Sequence, residues 1–287
     1  MTWDVAVAGT LHRDDITTPH GRRQSLGGSA AYFALAAAQY APVLVNGIVG
    51  RDTSDEYAAM LRGAAIDLSG VVVSDGPTFV WHAVHDFERW VTSSECAEPG
   101  CDGEWHPALD EASRAAPVLF LGSMHPGLQQ AVLAQSTARL VGADSMTVFM
   151  REDRAAVRAV VEAADILFLN AEEVEMLAGR DNWCDAAREL CGTGRLRAVV
   201  IKQGPDGAAC VTGSNVYDLP AHPVERVIDP TGAGDALAGG FLGYCAQEEV
   251  DTEAVFAQAL AEGVRCAAAA VTTFGADGLL GLNVSRS

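Results

Sequence analysis

The chain has 287 residues, of which 49% are hydrophobic, which is enough for one large α/β domain or two small ones. Its formal net charge of −19 argues against binding to nucleic acid or to an anionic membrane, because both partners need a basic face. The first twenty residues contain no apolar run, so we expect no signal peptide, no membrane span and a cytoplasmic location.

Short apolar runs alternate with segments of helical periodicity along most of the chain. This order is typical of βα units and predicts an α/β fold with a largely parallel sheet. No Pro-rich or Ser-rich linker interrupts it, so residues 1–287 are predicted to form a single domain. The predicted strands are 4–8, 43–49, 118–121, 166–169 and 198–201. The predicted helices are 29–39, 54–62, 126–135, 153–162, 171–177, 185–190, 233–247 and 252–270.

Two stretches break this alternation. Residues 12–26 are polar and turn-rich, and residues 78–103 carry alternating aromatic side chains followed by a loop rich in Cys, Pro and Gly. We expect them to form a small β-flap that projects from the sheet, with lid segments at about 10–26 and 78–106. Aromatic residues on such a flap also fit ordinary packing or a homodimer contact.

A helix start is predicted where a strand-like run meets a glycine-rich turn. Val224 to Ile228 has the pattern of a strand, Pro230 prevents that strand from continuing, and 236–244 has the spacing of a buried helix. The first backbone N–H groups of a helix have no partner within it and lie at the positive end of the helix dipole. The turn therefore predicts an anion-binding site.

The residues of this turn leave two interpretations open. Thr231 could be an ordinary N-cap and Asp235 an ordinary first-turn acid, contributing about 1 kcal/mol and roughly 0.3 to 1 kcal/mol. Gly232 and Gly234 are not explained in this way, since each costs up to about 1 kcal/mol relative to Ala inside a helix. A ligand that approaches the backbone closely would explain both glycines, and this favours the anion site.

The turn Asp229-Pro230-Thr231-Gly232-Ala233-Gly234-Asp235, taken with Gly27-Gly28-Ser29-Ala30-Ala31-Tyr32, resembles the ribokinase-like (PfkB) family of ATP-dependent sugar and nucleoside kinases. The resemblance covers nearly the whole chain. It implies a ribokinase-like three-layer α/β/α fold with a mostly parallel central sheet and a small β-flap lid. Further matching segments, in the family's order, are Gly9 with Asp14, Val49 to Asp52, Asn170 to Glu173, Lys202 to Gly204, and Asp206 with Gly207.

The same resemblance implies the parts of a phosphoryl-transfer site, in which catalysis is mostly positioning and charge neutralisation. The amides of Gly232, Ala233 and Gly234 would form the anion hole for the γ-phosphate. Asp235 would be the general base for the attacking hydroxyl. Thr231 would lie beside the nucleotide.

The resemblance also implies ATP and Mg²⁺ as cofactors. Asn170 and Glu173 would hold Mg²⁺ through water, although Asn170 is equally suited to cap the helix that begins at Ala171. Lys202 and Gly204 would lie near the nucleotide. The family often binds a monovalent cation such as K⁺ beside the anion hole, which would implicate Asp229 together with Thr231.

For the acceptor, Asp14, which we expect at the end of the first strand, is similar to the family carboxylate that binds two hydroxyls of a polyol. Ribokinases follow the double glycine with Lys-Gly-Ala-Asn, whereas this chain has Ser29 to Tyr32, so ribose is not the first expectation. Tyr32, Phe79 and Trp81 could form a flat wall for a nucleoside base or a cyclitol ring. The predicted acceptor-binding residues are Asp14, Gly27, Gly28, Ser29, Tyr32 and Trp81.

These features predict an ATP-dependent kinase that acts on a hydroxyl of a small neutral sugar or cyclitol, with a nucleoside kinase as the alternative. A kinase-fold binding protein without turnover is a more distant possibility. A nicotinamide dehydrogenase is disfavoured because no G-x-G-x-x-G follows the first strand. The absence of G-x-x-x-x-G-K-[ST] disfavours a P-loop kinase.

Overall fold

The computed structural model describes residues 4–62, 64–249 and 252–282, apart from the side chains of residues 94–97. The strands are β1 Val5–Ala8, β2 His12–Thr18, β3 Gly21–Gly27, β4 Val43–Gly50, β5 Ile66–Ser74, β6 Val80–Asp86, β7 Val91–Glu98, β8 Val118–Leu121, β9 Leu140–Asp144, β10 Ile166–Asn170, β11 Ala198–Lys202, β12 Ala208–Thr212 and β13 Val216–Leu219. The helices are α1 Ser29–Ala37, α2 Ser54–Met60, α3 Glu111–Ala115, α4 Pro126–Leu133, α5 Thr147–Glu152, α6 Arg154–Ala163, α7 Ala171–Ala178, α8 Trp183–Leu190, α9 Ala233–Gln247, α10 Phe256–Ala270 and α11 Asp277–Leu280.

A nine-stranded sheet forms the centre of the molecule, in the order β13-β12-β11-β10-β9-β8-β1-β4-β5. Every neighbouring pair from β11 to β5 is parallel, and β12 and β13 add an antiparallel edge. Parallel strands are covered on both faces, so they read as continuous apolar runs, and all four residues of β8 are buried.

Helices cover both faces of this sheet. Val118 and Phe120 of β8 belong to one hydrophobic cluster with residues of α1, α9 and α10. Leu119 and Leu121 belong to a second cluster, with residues of α4, α6, α7 and α8. Successive side chains of a strand point to opposite faces, so the two clusters are the two sides of the sheet. The predicted three-layer α/β/α fold is confirmed.

The two polar or aromatic stretches that interrupt the alternation form a separate small sheet. Its four strands run in the order β3-β2-β6-β7. The β2–β6 pair is parallel and the other two pairs are antiparallel. This arrangement places strands from residues 12–27 and 80–98 beside each other, although more than fifty residues separate them in sequence.

The predicted strand over Val224 to Ile228 is wrong. These residues form no strand, and the Ile228 amide donates a hydrogen bond to the Val271 carbonyl at 2.8 Å. The edge of the large sheet is already taken by β13, which ends at Leu219, and prolines at 220 and 223 lack the N–H that strand pairing requires. The segment therefore runs as a loop to the start of α9.

The helix predictions agree closely with the structure at most positions, and α9 begins and ends as predicted. The predicted helix over 252–270 begins only at Phe256, after a short 3₁₀ turn over Glu253–Val255. No helix in the described ranges is both long and apolar enough to cross a membrane.

Candidate active site

Two cavities meet beside the glycine turn, at the edge of the large sheet where its parallel strands end. The larger has a volume of about 970 Å³ and the smaller about 700 Å³. Both are lined by Lys202 at the end of β11, by Gly204 after it and by Gly234 in the first turn of α9. Ligands bind at this edge of parallel sheets because helix N-termini and strand-end loops converge there. The arrangement suits two ligands that exchange a group.

The glycine turn starts α9, with Gly232 as the N-cap and Ala233 as the first helical residue. Gly232 has φ of +75°, a left-handed conformation that favours glycine. A Cβ at Gly232 would lie 2.2 Å from Cγ of Tyr32, and one at Gly234 would lie 2.9 Å from Cδ of Lys202. Side chains of this protein thus fill the space beside both glycines, which gives a second reason for glycine at these positions besides the predicted approach of a ligand.

Asp235 follows in the first turn of α9 and lines the larger cavity. Its Oδ1 is buried without a hydrogen-bond partner among the described residues. Burial raises the pKa of Asp235 to about 7, an effect that the charges of Asp144 and Asp14 increase and that of Lys202 opposes. A carboxyl group with a pKa near neutrality has the chemistry of a general base at pH 7.

Asp144, which sequence reasoning missed, is a further buried carboxylate near Asp235. It ends β9, is 5% exposed, and accepts hydrogen bonds from Lys202 Nζ at 2.9 Å on both oxygens. Burial alone would lower the pKa of Lys202, but Asp144 and Glu173 raise it above its ordinary value. Lys202 therefore carries a positive charge where the cavities meet. The signal for Asp144 is a polar residue directly after a buried apolar run.

Asn170 and Glu173 lie together at the end of β10 and form a reciprocal capping box at the start of α7. Asn170 Oδ1 accepts a hydrogen bond from the Glu173 amide at 2.8 Å, and Glu173 Oε2 accepts one from the Asn170 amide at 2.9 Å. Burial raises the pKa of Glu173, and the nearby Lys202 opposes this. Both residues line the larger cavity. Asn170 therefore does cap α7, as the alternative interpretation predicted. The same capping box places a carboxylate and an amide on the cavity wall.

Asp14 lies within β2 of the small sheet, and not at the end of the first strand as predicted. It is 1% exposed, its Oδ1 has no hydrogen-bond partner among the described residues, and its Oδ2 accepts one from the Tyr32 hydroxyl at 3.4 Å. A Cβ at Gly27 would lie 1.8 Å from Asp14 Oδ2, so this position leaves room only for glycine. A buried carboxylate oxygen beside a cavity is suited to accept hydrogen bonds from hydroxyl groups of a ligand.

Three other residues predicted to bind the acceptor are engaged within the protein. Ser29 Oγ accepts a hydrogen bond from the Thr10 amide at 3.1 Å. Gly28 has φ of +93°, and a Cβ there would lie 2.4 Å from the Thr10 carbonyl oxygen. Tyr32 is 1% exposed with its ring against Gly232, so it is too buried for the predicted stacking on an acceptor. These residues shape the cavity wall beside Asp14.

Part of the lining of the larger cavity is apolar and aromatic, and it reaches Asp14, which pairs with Trp81 between β2 and β6. We call this region the apolar arm. Phe79 and Trp81, both predicted for the acceptor wall, remain partly exposed and line this region, Trp81 from β6 and Phe79 from the loop before it. Trp105, Met124 and Phe149 were not predicted as part of the site, because they come from three separate loops or elements. The apolar arm is lined by Phe79, Trp81, Trp105, Met124 and Phe149.

The smaller cavity lies between the loops that follow β11 and β13 and the helices α9 and α10. Gly204 has φ of +58° and open space beside it, so a ligand can approach its backbone. Phe87 and Trp90, from the hairpin that joins β6 to β7, also line this cavity, and their rings stack at 5.5 Å. The small sheet therefore borders both cavities.

Asp229, Thr231 and His85 form a buried cluster behind the glycine turn. Asp229 Oδ1 accepts a hydrogen bond from the Thr231 amide at 2.9 Å, and Asp229 Oδ2 accepts one from the Gly275 amide at 3.4 Å. His85 Nε2 lies 2.8 Å from Thr231 Oγ1 and 3.6 Å from Asp229 Oδ1. Burial lowers the pKa of His85 and raises that of Asp229. His85 was not predicted from the sequence.

A glycine turn at a helix start, a buried carboxylate near it and two cavities with shared lining residues are what an α/β phosphotransferase requires. The chain belongs to the pfkB family of carbohydrate kinases, whose family model matches residues 3–280. It is therefore a kinase with a hydroxyl group as acceptor, as the sequence resemblance predicted, and the family implies the use of ATP.

Curated relatives and solved structures agree with this family. A cytidine kinase of Thermococcus kodakarensis is 30% identical over 253 residues, 84% of this chain and 88% of that protein. An ATP-dependent ribose-1-phosphate kinase of Halopiger xanaduensis is 30% identical over 257 residues, 84% of this chain and 81% of that protein. The structure of a Burkholderia thailandensis nucleoside kinase in complex with inosine superposes with a TM-score of 0.76 at 21% identity, covering 97% and 95% of the two chains. That structure supports the fold.

Proposed function

We propose that this kinase transfers the γ-phosphate of ATP to a ribose hydroxyl of a nucleoside. The observation that carries the proposal is the lining of the larger cavity, to which a buried carboxylate, Asp14, and the aromatic residues of the apolar arm both contribute. A ribose would place its hydroxyls at Asp14, and a base would occupy the apolar arm, where aromatic rings favour flat ligands. A free sugar or cyclitol has no apolar part for this arm.

The charge of the cavity favours a neutral acceptor. None of the described residues that line it is an arginine. Its lysine, Lys202, is held by Asp144 at 2.9 Å. A phosphorylated acceptor, such as the one named for the Halopiger relative, would meet several carboxylates here without a guanidinium to bind it. The cytidine kinase similarity supports the nucleoside class and does not identify the base.

Each step of the proposed phosphoryl transfer has residues that carry it out. The attacking hydroxyl gives its proton to Asp235 while the hydroxyl oxygen forms a bond to the γ-phosphorus. At the same time the bond from that phosphorus to the β,γ-bridging oxygen breaks. The amides of Gly232 and Gly234 donate hydrogen bonds to the γ-phosphate oxygens, and that of Ala233 does so in place of its 3.3 Å bond to the Pro230 carbonyl. Lys202 neutralises charge where the two cavities meet. The products are ADP and a nucleoside monophosphate.

Two cations fit this proposal. Asn170 and Glu173 would hold Mg²⁺ through water, since one carboxylate and one amide suit an ion that keeps several waters and binds phosphates. Bound Mg²⁺ would supply charge neutralisation for the phosphates. Asp229, with Thr231 beside it, is the candidate position for K⁺.

An acceptor panel tests the proposal. Cytidine, uridine, adenosine, guanosine and inosine would be compared with ribose, fructose, myo-inositol and ribose 1-phosphate, by ADP release and by mass spectrometry of the product. We expect the best nucleoside to exceed ribose by about 100-fold in kcat/KM, since about 2.7 kcal/mol of base binding corresponds to that ratio. An equal or better rate with a free sugar or cyclitol would refute the nucleoside assignment.

A variant pair links the preference to the apolar arm. Trp81→Ala should lower kcat/KM for the best nucleoside by about tenfold and that for ribose by clearly less, because the indole offers a flat apolar face on which a base stacks and a sugar does not. Trp183→Ala is the matched control, since Trp183 is a partly exposed indole on α8 outside both cavities. Equal losses for nucleoside and ribose in Trp81→Ala would show that Trp81 is structural.

A further inference from the structure

His85 joins the small sheet to the glycine turn. It lies in β6, 146 residues from Thr231 in sequence, and its Nε2 is 2.8 Å from Thr231 Oγ1. Its Nδ1 is 2.8 Å from Thr92 Oγ1 on the neighbouring strand β7. With 6% exposure and a partner at each ring nitrogen, the imidazole is fixed between the two parts of the molecule.

This contact lies between the two cavities that we propose to hold the substrates. His85 and Thr92 are among the residues that line both cavities. The phosphoryl group must pass from one cavity to the other, so the small sheet borders its path at His85. The larger cavity is also lined by Thr231 itself.

Thr231 is held from two sides, and it directly precedes Gly232. Its amide donates to Asp229 Oδ1 at 2.9 Å, and its hydroxyl meets His85. The left-handed φ of +75° at Gly232 begins the helix whose amides are proposed to hold the phosphate. A shift of Thr231 would therefore be transmitted directly to the phosphate-binding backbone.

We propose that His85 is a positioning residue. Its hydrogen bond to Thr231 joins the small sheet, which acts as a lid, to the glycine turn. Closure of the cavity and placement of the phosphate therefore occur together. When this bond is lost, the lid and the turn move independently and water enters. Water then competes with the acceptor for the γ-phosphate and yields ADP with inorganic phosphate in place of phosphorylated acceptor. The inference rests on the kinase activity of the family and not on the identity of the acceptor.

Two amide substitutions separate the two nitrogens of His85. In His85→Gln the side-chain amide nitrogen reaches the position of Nε2, so the bond to Thr231 is kept and that to Thr92 is lost. In His85→Asn the amide nitrogen takes the position of Nδ1, so the reverse holds. The two variants are otherwise similar in polarity and charge, and each serves as the control for the other.

The first measurement is the ratio of ADP released to acceptor phosphorylated, with any acceptor that the wild type turns over. We expect a ratio near one for the wild type and for His85→Gln. For His85→Asn we expect an excess of ADP of about twofold or more and a kcat lowered about tenfold. Equal behaviour of the two variants, whether both active or both impaired, would overturn the proposal.

The second measurement needs no acceptor and so separates this inference from the proposed function. Hydrogen exchange of 80–86 and 230–236 in the presence of ATP should be about tenfold faster in His85→Asn than in the wild type, and unchanged in His85→Gln. If a His85 variant does not fold, Thr231→Ser, which keeps the hydroxyl, is compared with Thr231→Val, which removes it. Unchanged hydrogen exchange in His85→Asn, or the same hydrogen exchange in Thr231→Ser and Thr231→Val, would overturn the proposed link between the small sheet and the glycine turn.

Discussion

Asp235 shows how one residue can favour function at the expense of stability. Burial, with the charges of Asp144 and Asp14, raises its pKa to about 7, against an ordinary value of 3.8. The folded protein therefore holds the proton more tightly than the unfolded chain does. The contribution of Asp235 to stability is complete below the unfolded pKa and is lost as the pH rises through the folded pKa.

This titration predicts the pH dependence of the reaction. A base must be deprotonated to accept a proton, so kcat/KM for the acceptor should rise about tenfold per pH unit below about pH 7 and level off above it. Asp235→Asn should lower kcat by about 10²- to 10⁴-fold at pH 8, and its residual activity should lose the pH-dependent rise. Initial rates between about pH 5 and 9 measure both.

Two further results check this assignment. Glu248→Gln removes one exposed charge at the C-cap of the same helix and should keep the wild-type rate and pH profile. Asp235→Asn should melt at a higher temperature than the wild type at pH 8, with a smaller difference at pH 5, because a neutral amide does not lose stability as the pH rises. A profile that remains flat from pH 5 to 9 in the wild type would remove Asp235 as the base.

At the scale of the secondary-structure elements, the junction of β3 and α1 shows how a glycine creates a binding site. A Cβ at Gly27 would lie 1.8 Å from Asp14 Oδ2, so Gly27→Ala must push this carboxylate out of its place. We expect the KM of the acceptor to rise about tenfold or more. The Kd of ATP should stay within about twofold, because the smaller cavity, in which we propose that ATP binds, is lined by neither Gly27 nor Asp14. Acceptor kinetics and ATP titration calorimetry measure the two.

Gly213→Ala is the control for this change. Gly213 has open space around it and no positive φ, so an added Cβ meets nothing. It should match the wild type in both constants. A Gly27→Ala variant with an unchanged acceptor KM would show that Asp14 does not bind the acceptor in the position that the structure gives it.

Elements differ in how far the sequence predicts them. The amphipathic and capped helices were found, since periodicity and caps are local signals, as in α7 with its capping box. Strand β9 was missed because Gly142 weakens its pattern, and this glycine is required by contact with α9, where a Cβ would lie 2.6 Å from Leu242 Cδ1. A glycine such as Gly142 is required by packing between elements that are distant in sequence. A local sequence pattern carries no information about that packing.

The site follows the same division. Motif residues at helix starts and strand ends, such as Asp235 and Asn170, were identified from the sequence. Contacts between distant segments were not: Asp144 meets Lys202 across 58 residues, and His85 meets Thr231 across 146. Their consequences, a charged lysine where the cavities meet and a small sheet hydrogen-bonded to the glycine turn, depend on tertiary structure alone.

At the scale of the whole molecule, the charge of −19 opposes the approach of one substrate and not the other. ATP with Mg²⁺ is an anion, and a nucleoside is neutral. At about 10 mM salt the screening length is about 30 Å, so charges over the whole surface repel the nucleotide, whereas at about 150 mM it is about 8 Å. Electrostatic repulsion of this kind slows association and weakens binding in a salt-dependent way.

Raising tetramethylammonium chloride from about 10 to 150 mM should therefore raise kcat/KM for MgATP about two- to fivefold, and change that for the nucleoside at saturating ATP by less than about 1.5-fold. Initial rates with each substrate varied in turn measure the two effects. A fall for MgATP would mean that the local field of Lys202 outweighs the net charge. Tetramethylammonium is too large for a K⁺ site, so replacing it by K⁺ at constant ionic strength isolates any cation bound at Asp229 from general screening.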